Sequence, residues 1–220
     1  MERHRPHSTG PSPASVRVVL AYKNFAANKG ISHIGLGVAA MNTSATLRRM
    51  GFWVDVWPVV SAEDLDRRLA ETQAQAMRDG QHPVSHVVVS APWIPTVRMQ
   101  QMLMRHPDVD FAVVSHSNVG FLMADPTGIQ ILREGLELSI GNHNFAVAGN
   151  CKKFCDAWGA MYGVTPRWLP NLYDVSTIKN VGQRQPWTAG TLRVGVFGAT
   201  RPNCDWRGFG CIRGDNSNSS

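Results

Sequence analysis

The fold is decided by residues 16–51, VRVVLAYKNFAANKGISHIGLGVAAMNTSATLRRMG. The first seven residues, VRVVLAY, are nearly all apolar and rich in Val, which is typical of a strand covered on both faces of a parallel sheet. Three glycines lie in the following KNFAANKGISHIGLG, and VAAMNTSATLRRMG continues in helical register to Gly51. This part therefore predicts a strand, a glycine-bearing loop and a helix that ends at a glycine.

The alternation of strand and helix continues to residue 174. Strands that alternate with helices of roughly ten to fifteen residues imply right-handed crossovers and a parallel sheet with helices on both faces. We therefore expect residues 16–175 to form one doubly wound, Rossmann-like α/β domain of about six strands. Further strands are predicted at 52–60, 84–92, 108–118 and 145–150, helices up to Gly80 after a cap at Ser61, at 95–105, 127–139 and 151–163, and PRWLPNLYD follows at 166–174.

The two ends of the chain lack this pattern. Residues 1–15 are rich in Pro, Ser and His and are predicted to be a disordered leader. Residues 176–190 are predicted to be a linker, and 191–203, which contain LRVGVFG, the first strand of a truncated second α/β domain. Residues 204–220 are expected to be an irregular tail, as a frameshift or truncation would leave. The alternative is a complete protein whose last strand joins the first sheet.

The composition describes a globular protein with enough apolar residues for a sizeable core. Hydrophobic residues make up 43% and charged residues 17%, which excludes collagen-like, coiled-coil and low-complexity chains. No apolar run approaches the roughly 20 residues of a membrane-spanning helix, so we expect a cytoplasmic protein. The net charge of +6 comes from scattered basic residues, which predicts no nucleic-acid partner but allows peripheral contact with an anionic membrane.

The four cysteines are too few for a disulfide scaffold. Cys151 and Cys155 lie four residues apart on a predicted helix, and two thiols do not complete the four-ligand shell of structural zinc. We therefore interpret them as ordinary thiols and predict no metal site.

Ligands bind open parallel sheets at the carboxyl ends of the strands, near the point where the strand order reverses. The rule selects the loops after Tyr22, Pro58, Ser90 and Ser115. The first of these loops offers backbone N–H groups just before a helix, an arrangement that suits a phosphate, although it matches neither GxGxxG nor Walker A. The alternative role for its glycines is turn formation and close helix packing. The candidate binding residues here are Asn28, Lys29, Gly30, His33, Gly35 and Gly37.

His116 stands at the predicted exit of the fourth strand, in VVSHSN, with Asn118 as a candidate binding residue nearby. A histidine in this place can hydrogen-bond a sugar hydroxyl or move a proton near neutral pH, so His116 is the candidate catalytic residue. A purely structural hydrogen bond is the alternative.

Asn150 is at the end of the strand FAVAGN. Capping the next helix is its favoured role, and facing the crevice is the alternative. His82, His86, His106 and His143 are interpreted as surface or strand-flanking residues, and Trp57 and Trp93 as core or rim residues with a sugar subsite as the alternative.

The order of these parts resembles a known family. NKGISHIGLGVAAMNTSATLRRMG, VVSHSN, FAVAGNCKKFCDAWG, WLPNLYD and LRVGVFGATRP resemble, in sequence and order, the retaining GT-B glycosyltransferases of the glycogen-synthase-like and mannosyltransferase-like group. Pro170, Asn171 and Asp174 are similar to the PNGVD segment that closes the first domain in that family. Arg201 matches the Arg that grips the donor diphosphate, whereas the accompanying Lys and the Glu-containing donor motif have no counterpart.

The resemblance implies the acceptor-side domain of an enzyme that moves a hexose from a nucleotide-diphosphate sugar to a glycan or related acceptor. It implies no cofactor and no metal, and an enzyme that is inactive as this chain alone. The alternative function is a non-catalytic Rossmann-like module that binds a nucleotide or a protein. An NAD-type dehydrogenase is less favoured because the first loop lacks the dinucleotide fingerprint.

Overall fold

The computed structural model describes residues 12–24, 34–117, 122 and 125–174. The chain divides into two units between Val175 and Ser176, and every described residue belongs to the first. The described strands are β1 (Arg17–Lys23), β2 (Trp53–Val59), β3 (His86–Ser90), β4 (Asp110–Ser115), β5 (Phe145–Gly149) and β6 (Arg167–Trp168). A short 3-10 helix (Pro13–Ser15) precedes β1. The described α-helices are α1 (Ile34–Arg49), α2 (Ala62–Asp79), α3 (Thr96–Arg105), α4 (Pro126–Gly141) and α5 (Lys152–Tyr162).

The six strands form one sheet in the order β2-β1-β3-β4-β5-β6, and every neighbouring pair is parallel. The α/β class and the parallel sheet predicted from the alternating pattern are thus confirmed. After β1 the chain adds β2 on one side and then crosses to add β3 on the other. The strand order therefore reverses between β1 and β3, which is where such a sheet opens a crevice for ligands.

Strands β2 to β5 are shorter than the sequence pattern predicts, and local contacts explain where β3 begins and ends. Before β3, the Gln73 side chain accepts from the Val84 N–H at 2.8 Å and donates to the Val84 carbonyl at 2.9 Å, so Val84 is bonded to a helix rather than to a strand. After β3, Ala91 has φ +71°, which turns the chain out of the extended conformation. In 166–174 only Arg167 and Trp168 form a strand.

The predicted ends of α2 are confirmed. The Ser61 hydroxyl accepts a hydrogen bond from the Asp64 N–H at 3.1 Å, and this satisfies a donor that the first turn leaves without a helical partner. At the other end Gly80 has φ +62°, the left-handed conformation that terminates a helix and that glycine adopts without steric cost.

The helices cover the two faces of the sheet unequally. Right-handed crossovers that run in opposite directions place their helices on opposite faces. We call the face under α1 face A, where Val18 and Leu20 pack against Ala40. We call the other face B; side chains of α2, α3, α4 and α5 pack against it, and among them Leu65 and Leu132 are fully buried. Within the described ranges, α1 is the one α-helix on face A.

Strand β2 lies at an edge of the described sheet and pairs with β1. Pro58 in this strand has no N–H to offer to a further strand. Its carbonyl accepts a hydrogen bond from Arg68 Nη1 at 2.8 Å. The Val54 carbonyl accepts another from Arg48 Nε at 2.9 Å. Two arginines therefore occupy carbonyl groups of this strand.

Candidate functional site

A cavity of about 280 Å³ lies on face A, against the first half of β1 and toward the carboxyl ends of β3 and β4. We call it the switch-point cavity, because it is next to the place where the strand order reverses. Helix α1 forms one wall and the segment Leu169–Leu172, which follows β6, forms another. The sheet supplies the floor through side chains such as Leu20 and Val88.

The segment that closes the cavity is fixed to helix α1. The Leu172 N–H donates to Thr43 Oγ1 at 3.2 Å. Two residues further along, the Asp174 carboxylate forms an ion pair with Arg49. These contacts hold the WLPNLYD motif against α1, and the residues of that motif that line the cavity are Leu169, Pro170, Asn171 and Leu172.

His116 follows β4 directly and lines the switch-point cavity. Its pKa is lowered because burial disfavours the charged imidazolium. Nδ1 of His116 lies 3.4 Å from Nδ2 of Asn150. With the amide as donor, Nδ1 is the acceptor and the ring proton is on Nε2. His116 is therefore a neutral imidazole with one N–H donor at physiological pH.

The predicted capping role of Asn150 is wrong. Helix α5 has Cys151 at its N-cap, and no side chain makes a capping hydrogen bond there. Asn150 is thus one residue too early in the chain to reach the N–H groups of the first turn. Its amide contacts His116 instead, and Asn150 itself is not among the residues that line the cavity.

Ala91 adds backbone strain beside the cavity. It follows Ser90, which lines the cavity, and its φ of +71° is uncommon for any residue other than glycine. The Ala91 N–H donates to the Val114 carbonyl at 2.9 Å, so the strained turn is bonded to β4. Strained residues of this kind cluster at binding sites. No pattern in the sequence marks Ala91, and sequence reasoning missed it.

The lining of the cavity is mostly apolar and carries little charge. Four polar side chains line it, Thr43, Ser90, His116 and Asn171, and among its described lining residues His116 is the one that can ionise. A phosphate group is normally held by cationic side chains or several N–H donors. The switch-point cavity therefore suits a neutral ligand.

The glycine-bearing loop falls largely outside the described residues. Gly35 and Gly37 are in the first turn of α1. A Cβ added to Gly37 would lie 3.3 Å from the Tyr22 ring, so this glycine lets α1 approach β1, whereas a Cβ on Gly35 would meet nothing within 4 Å. The phosphate contacts expected of this loop remain a prediction. Candidate residues outside the described ranges are Asn28, Lys29, Gly30, His33, Asn118 and Arg201.

The two tryptophans considered for a sugar subsite do not line the switch-point cavity. Trp57 is buried in the core on face B, with the Arg68 guanidinium 5.5 Å from its ring. The Trp93 indole N–H donates to the Ser90 carbonyl at 3.0 Å, and Lys23 Nζ lies 5.7 Å from its ring. Both tryptophans make the packing contacts that the sequence favoured.

The side chain of His106 is largely buried, so of its two sequence interpretations, surface or strand-flanking residue, the surface position is wrong. Its Nε2 lies 3.0 Å from Oδ1 of Asp66, and both side chains are largely buried. Arg105 pairs with the second oxygen of the same carboxylate. A buried carboxylate needs such partners, and these contacts join α2 to α3 on face B.

The two described cysteines are free thiols, as the sequence predicted. Cys155 is buried and its pKa is raised, chiefly because desolvation disfavours the thiolate. In the part of the chain that the structure describes, no group of three or more His, Cys, Asp and Glu side chains could hold a metal ion. None of the described helices is long and apolar enough to cross a membrane.

Comparison with known proteins adds no relative to this picture. No protein-family model matches the chain, and no curated protein or solved structure matches it significantly. The parallel sheet, the switch-point cavity and its lining residues are therefore the features from which a function can be inferred.

Proposed function

We propose that residues 16–175 are the acceptor-side domain of a GT-B glycosyltransferase, which moves a hexose from a nucleotide-diphosphate sugar to a hydroxyl of a glycan or related acceptor. One observation carries this proposal: three of the segments that resemble the family line one cavity. Helix α1 belongs to the glycine-bearing segment, His116 to VVSHSN and Asn171 to WLPNLYD. Asn150 of FAVAGN does not line the cavity but contacts His116. Residues at the carboxyl ends of neighbouring parallel strands are the usual source of ligand contacts in this fold class.

In this function His116 would bind the acceptor. Its Nε2–H can donate to the oxygen of a hydroxyl group, and its neutral state fits an uncharged partner. In the transfer, the acceptor oxygen forms a bond to the anomeric carbon, and the bond from that carbon to the diphosphate oxygen breaks. The electron pair of the broken bond leaves with the nucleoside diphosphate, and the hydroxyl proton is released with this product.

The donor would lie outside the cavity, because the cavity offers no cationic side chain among its described lining residues. We assign the diphosphate to the glycine-bearing loop with Asn28, Lys29 and His33. Helix N-terminal N–H groups and basic side chains can neutralise a diphosphate, so the proposal requires no metal or cofactor. The remaining residues assigned to the donor side are Gly30, Gly35, Gly37 and Asn118.

Binding of simple hexosides tests the proposal. Methyl glucoside and methyl mannoside are titrated into the full chain while the NMR signals of the His116 ring are followed. We expect one of them to shift these signals, and His116→Ala to weaken its binding by about tenfold, as loss of one good hydrogen bond does. His82→Ala is the matched control, because His82 is exposed. If neither hexoside nor any disaccharide derived from them binds, the proposed function is wrong.

A non-catalytic binding module is the second candidate, and one observation favours it. No carboxylate is among the described residues that line the cavity, and the histidine there is held neutral. Steady turnover of a nucleotide sugar by the purified chain would exclude this candidate. It would also contradict our expectation that the chain alone is inactive.

A further inference from the structure

We infer that the acceptor is an amphipathic glycoside, whose apolar aglycone fills the switch-point cavity while its sugar stays at the rim beside His116. The inference rests on the proposed function and names the substrate class of the same site. It is carried by the size of the cavity, the division of its lining into an apolar and a polar part, and the fixed segment that closes it.

The cavity is large enough for a ligand and too apolar for a sugar. Its volume of about 280 Å³ is close to the lower limit of about 300 Å³ for small-molecule sites and far above the roughly 30 Å³ of one water. Leu20, Ala40, Leu47 and Val88 line it with hydrocarbon. A hexose placed there would bury several hydroxyl groups without partners, which costs free energy for each one.

Two of the four polar side chains of the lining, Ser90 and His116, are at the carboxyl ends of the neighbouring strands β3 and β4. Of the other two, Thr43 Oγ1 already accepts a hydrogen bond from the Leu172 N–H. Apolar residues of α1, of the strands and of the closing segment form most of the remaining lining. A ligand with one polar end and one apolar end matches this division. An anionic ligand does not, because no described lining residue carries a positive charge at neutral pH.

The closing segment supports an apolar occupant. Leu169 and Leu172 line the cavity, and the Leu172 N–H is bonded to Thr43 Oγ1 at 3.2 Å. An aglycone in the cavity would contact these two leucines on one side and Val114 of the sheet on the other. Such contacts would add apolar burial without rearranging the chain.

The experiment compares hexosides that differ only in the length of the alkyl aglycone. Methyl, butyl and hexyl glucosides and mannosides, each below its micelle concentration, are titrated into the full chain and the dissociation constants are compared. Burial of each methylene group strengthens binding by up to about fourfold. We expect the hexyl compound to bind at least about tenfold more tightly than the butyl compound, and longer chains to bring little further gain once the cavity is full.

A pair of neighbouring substitutions on α1 locates the aglycone. Ala39 lines the cavity, so Ala39→Met fills part of it, whereas Val38 is exposed and Val38→Met does not. We expect Ala39→Met to remove the gain in affinity from butyl to hexyl hexosides. Val38→Met should keep this gain. Nuclear Overhauser contacts between the hexyl chain and the Val88 and Val114 methyl groups of the unmodified protein give a second readout that needs no variant.

The possible results separate this inference from the proposed function. If the methyl hexosides bind but affinity does not rise with chain length, the amphipathic acceptor is wrong and the glycosyltransferase proposal stands. If affinity rises equally in the protein and in Ala39→Met, or the alkyl chain contacts other residues, the aglycone is elsewhere and the inference is overturned. If no hexoside binds, the proposed function fails first.

Discussion

Burial of His116 makes the stability of the domain depend on pH. The pKa of this imidazole is lowered in the folded protein because burial disfavours its charged form. In the unfolded chain it returns to about 6.5. Below that pH the unfolded state takes up a proton that the folded state does not hold, so the unfolded state is favoured. The free energy of unfolding is therefore at its full value above pH 6.5. It decreases as the pH falls from 6.5 toward the lower pKa of the folded state.

We predict that His116→Gln reduces the loss of stability on acidification. The measurement is the free energy of unfolding from urea titrations at pH 7.5 and 5.5. One fully coupled proton changes this free energy by at most about 1.4 kcal/mol per pH unit, so the variant should lose less than the unmodified protein by up to that amount. His82→Gln, on an exposed side chain, is the control. Equal losses in all three proteins would contradict the prediction.

At Ala91, we predict that the stability of the protein depends more on the shape of the side chain than on its size. With φ +71°, a β-branched residue at this position is strongly disfavoured. We expect Ala91→Val to lower the free energy of unfolding by about 2 kcal/mol. Ala91→Gly should leave stability unchanged or raise it by up to about 1 kcal/mol, because glycine adopts this conformation freely. Chemical denaturation of both variants checks the prediction, and a destabilised glycine variant would refute it.

At this scale the sequence predicted some site residues and missed others. The place of His116 followed from its position after a Val-rich strand. The contact between His116 and Asn150 required knowing that α5 begins after Cys151 rather than at it, a difference of one residue. The left-handed φ of Ala91 depends on how β3 ends against β4, and such tertiary contacts leave no local pattern.

Between elements, the approach of α5 to β5 depends on Gly149. A Cβ at this position would collide with the Phe154 ring and come within 3.0 Å of Cys155 Sγ. We predict that Gly149→Ala lowers the free energy of unfolding by about 2 kcal/mol or more, since overpacking forces the helix away from the sheet. The matched control is Gly141→Ala, where an added Cβ meets nothing within 4 Å. Gly141→Ala should raise the free energy of unfolding by less than about 1 kcal/mol. Thermal or urea unfolding of the two variants tests the prediction. Equal effects of both substitutions would show that close packing at Gly149 does not limit stability.

The order of the elements could be predicted from the sequence, but their exact ends could not. Hydrophobic periodicity marks each strand and helix because burial of one face is required in every element. The ends are set by single hydrogen bonds, such as those between Gln73 and Val84 that delay the start of β3. The strand order could not be predicted from the sequence, because the same alternating pattern is compatible with more than one doubly wound order.

For the molecule as a whole, the unequal covering of the sheet predicts that face B contributes most of the stability and that face A binds the ligand. Leu132 on face B is fully buried, whereas Leu47 lines the switch-point cavity on face A and is half-buried. We expect Leu132→Ala to lower the free energy of unfolding by about 3 kcal/mol and Leu47→Ala by less than about half of that. Only Leu47→Ala should weaken binding of hexyl hexosides. Urea unfolding and the glycoside titrations measure the two effects, and comparable loss of stability in both variants would contradict the division.

The hydrogen-bonding groups of edge strand β2 that are missing or already occupied affect how the protein behaves in concentrated solution. An open strand can recruit the same strand of another molecule and extend into fibrils. Here Pro58 lacks the donor that such growth requires, and Arg68 and Arg48 already occupy the Pro58 and Val54 carbonyls. Charged guanidinium groups at this rim also repel their counterparts on an approaching copy. The domain can thus keep a long parallel strand at its border without seeding aggregates from that side.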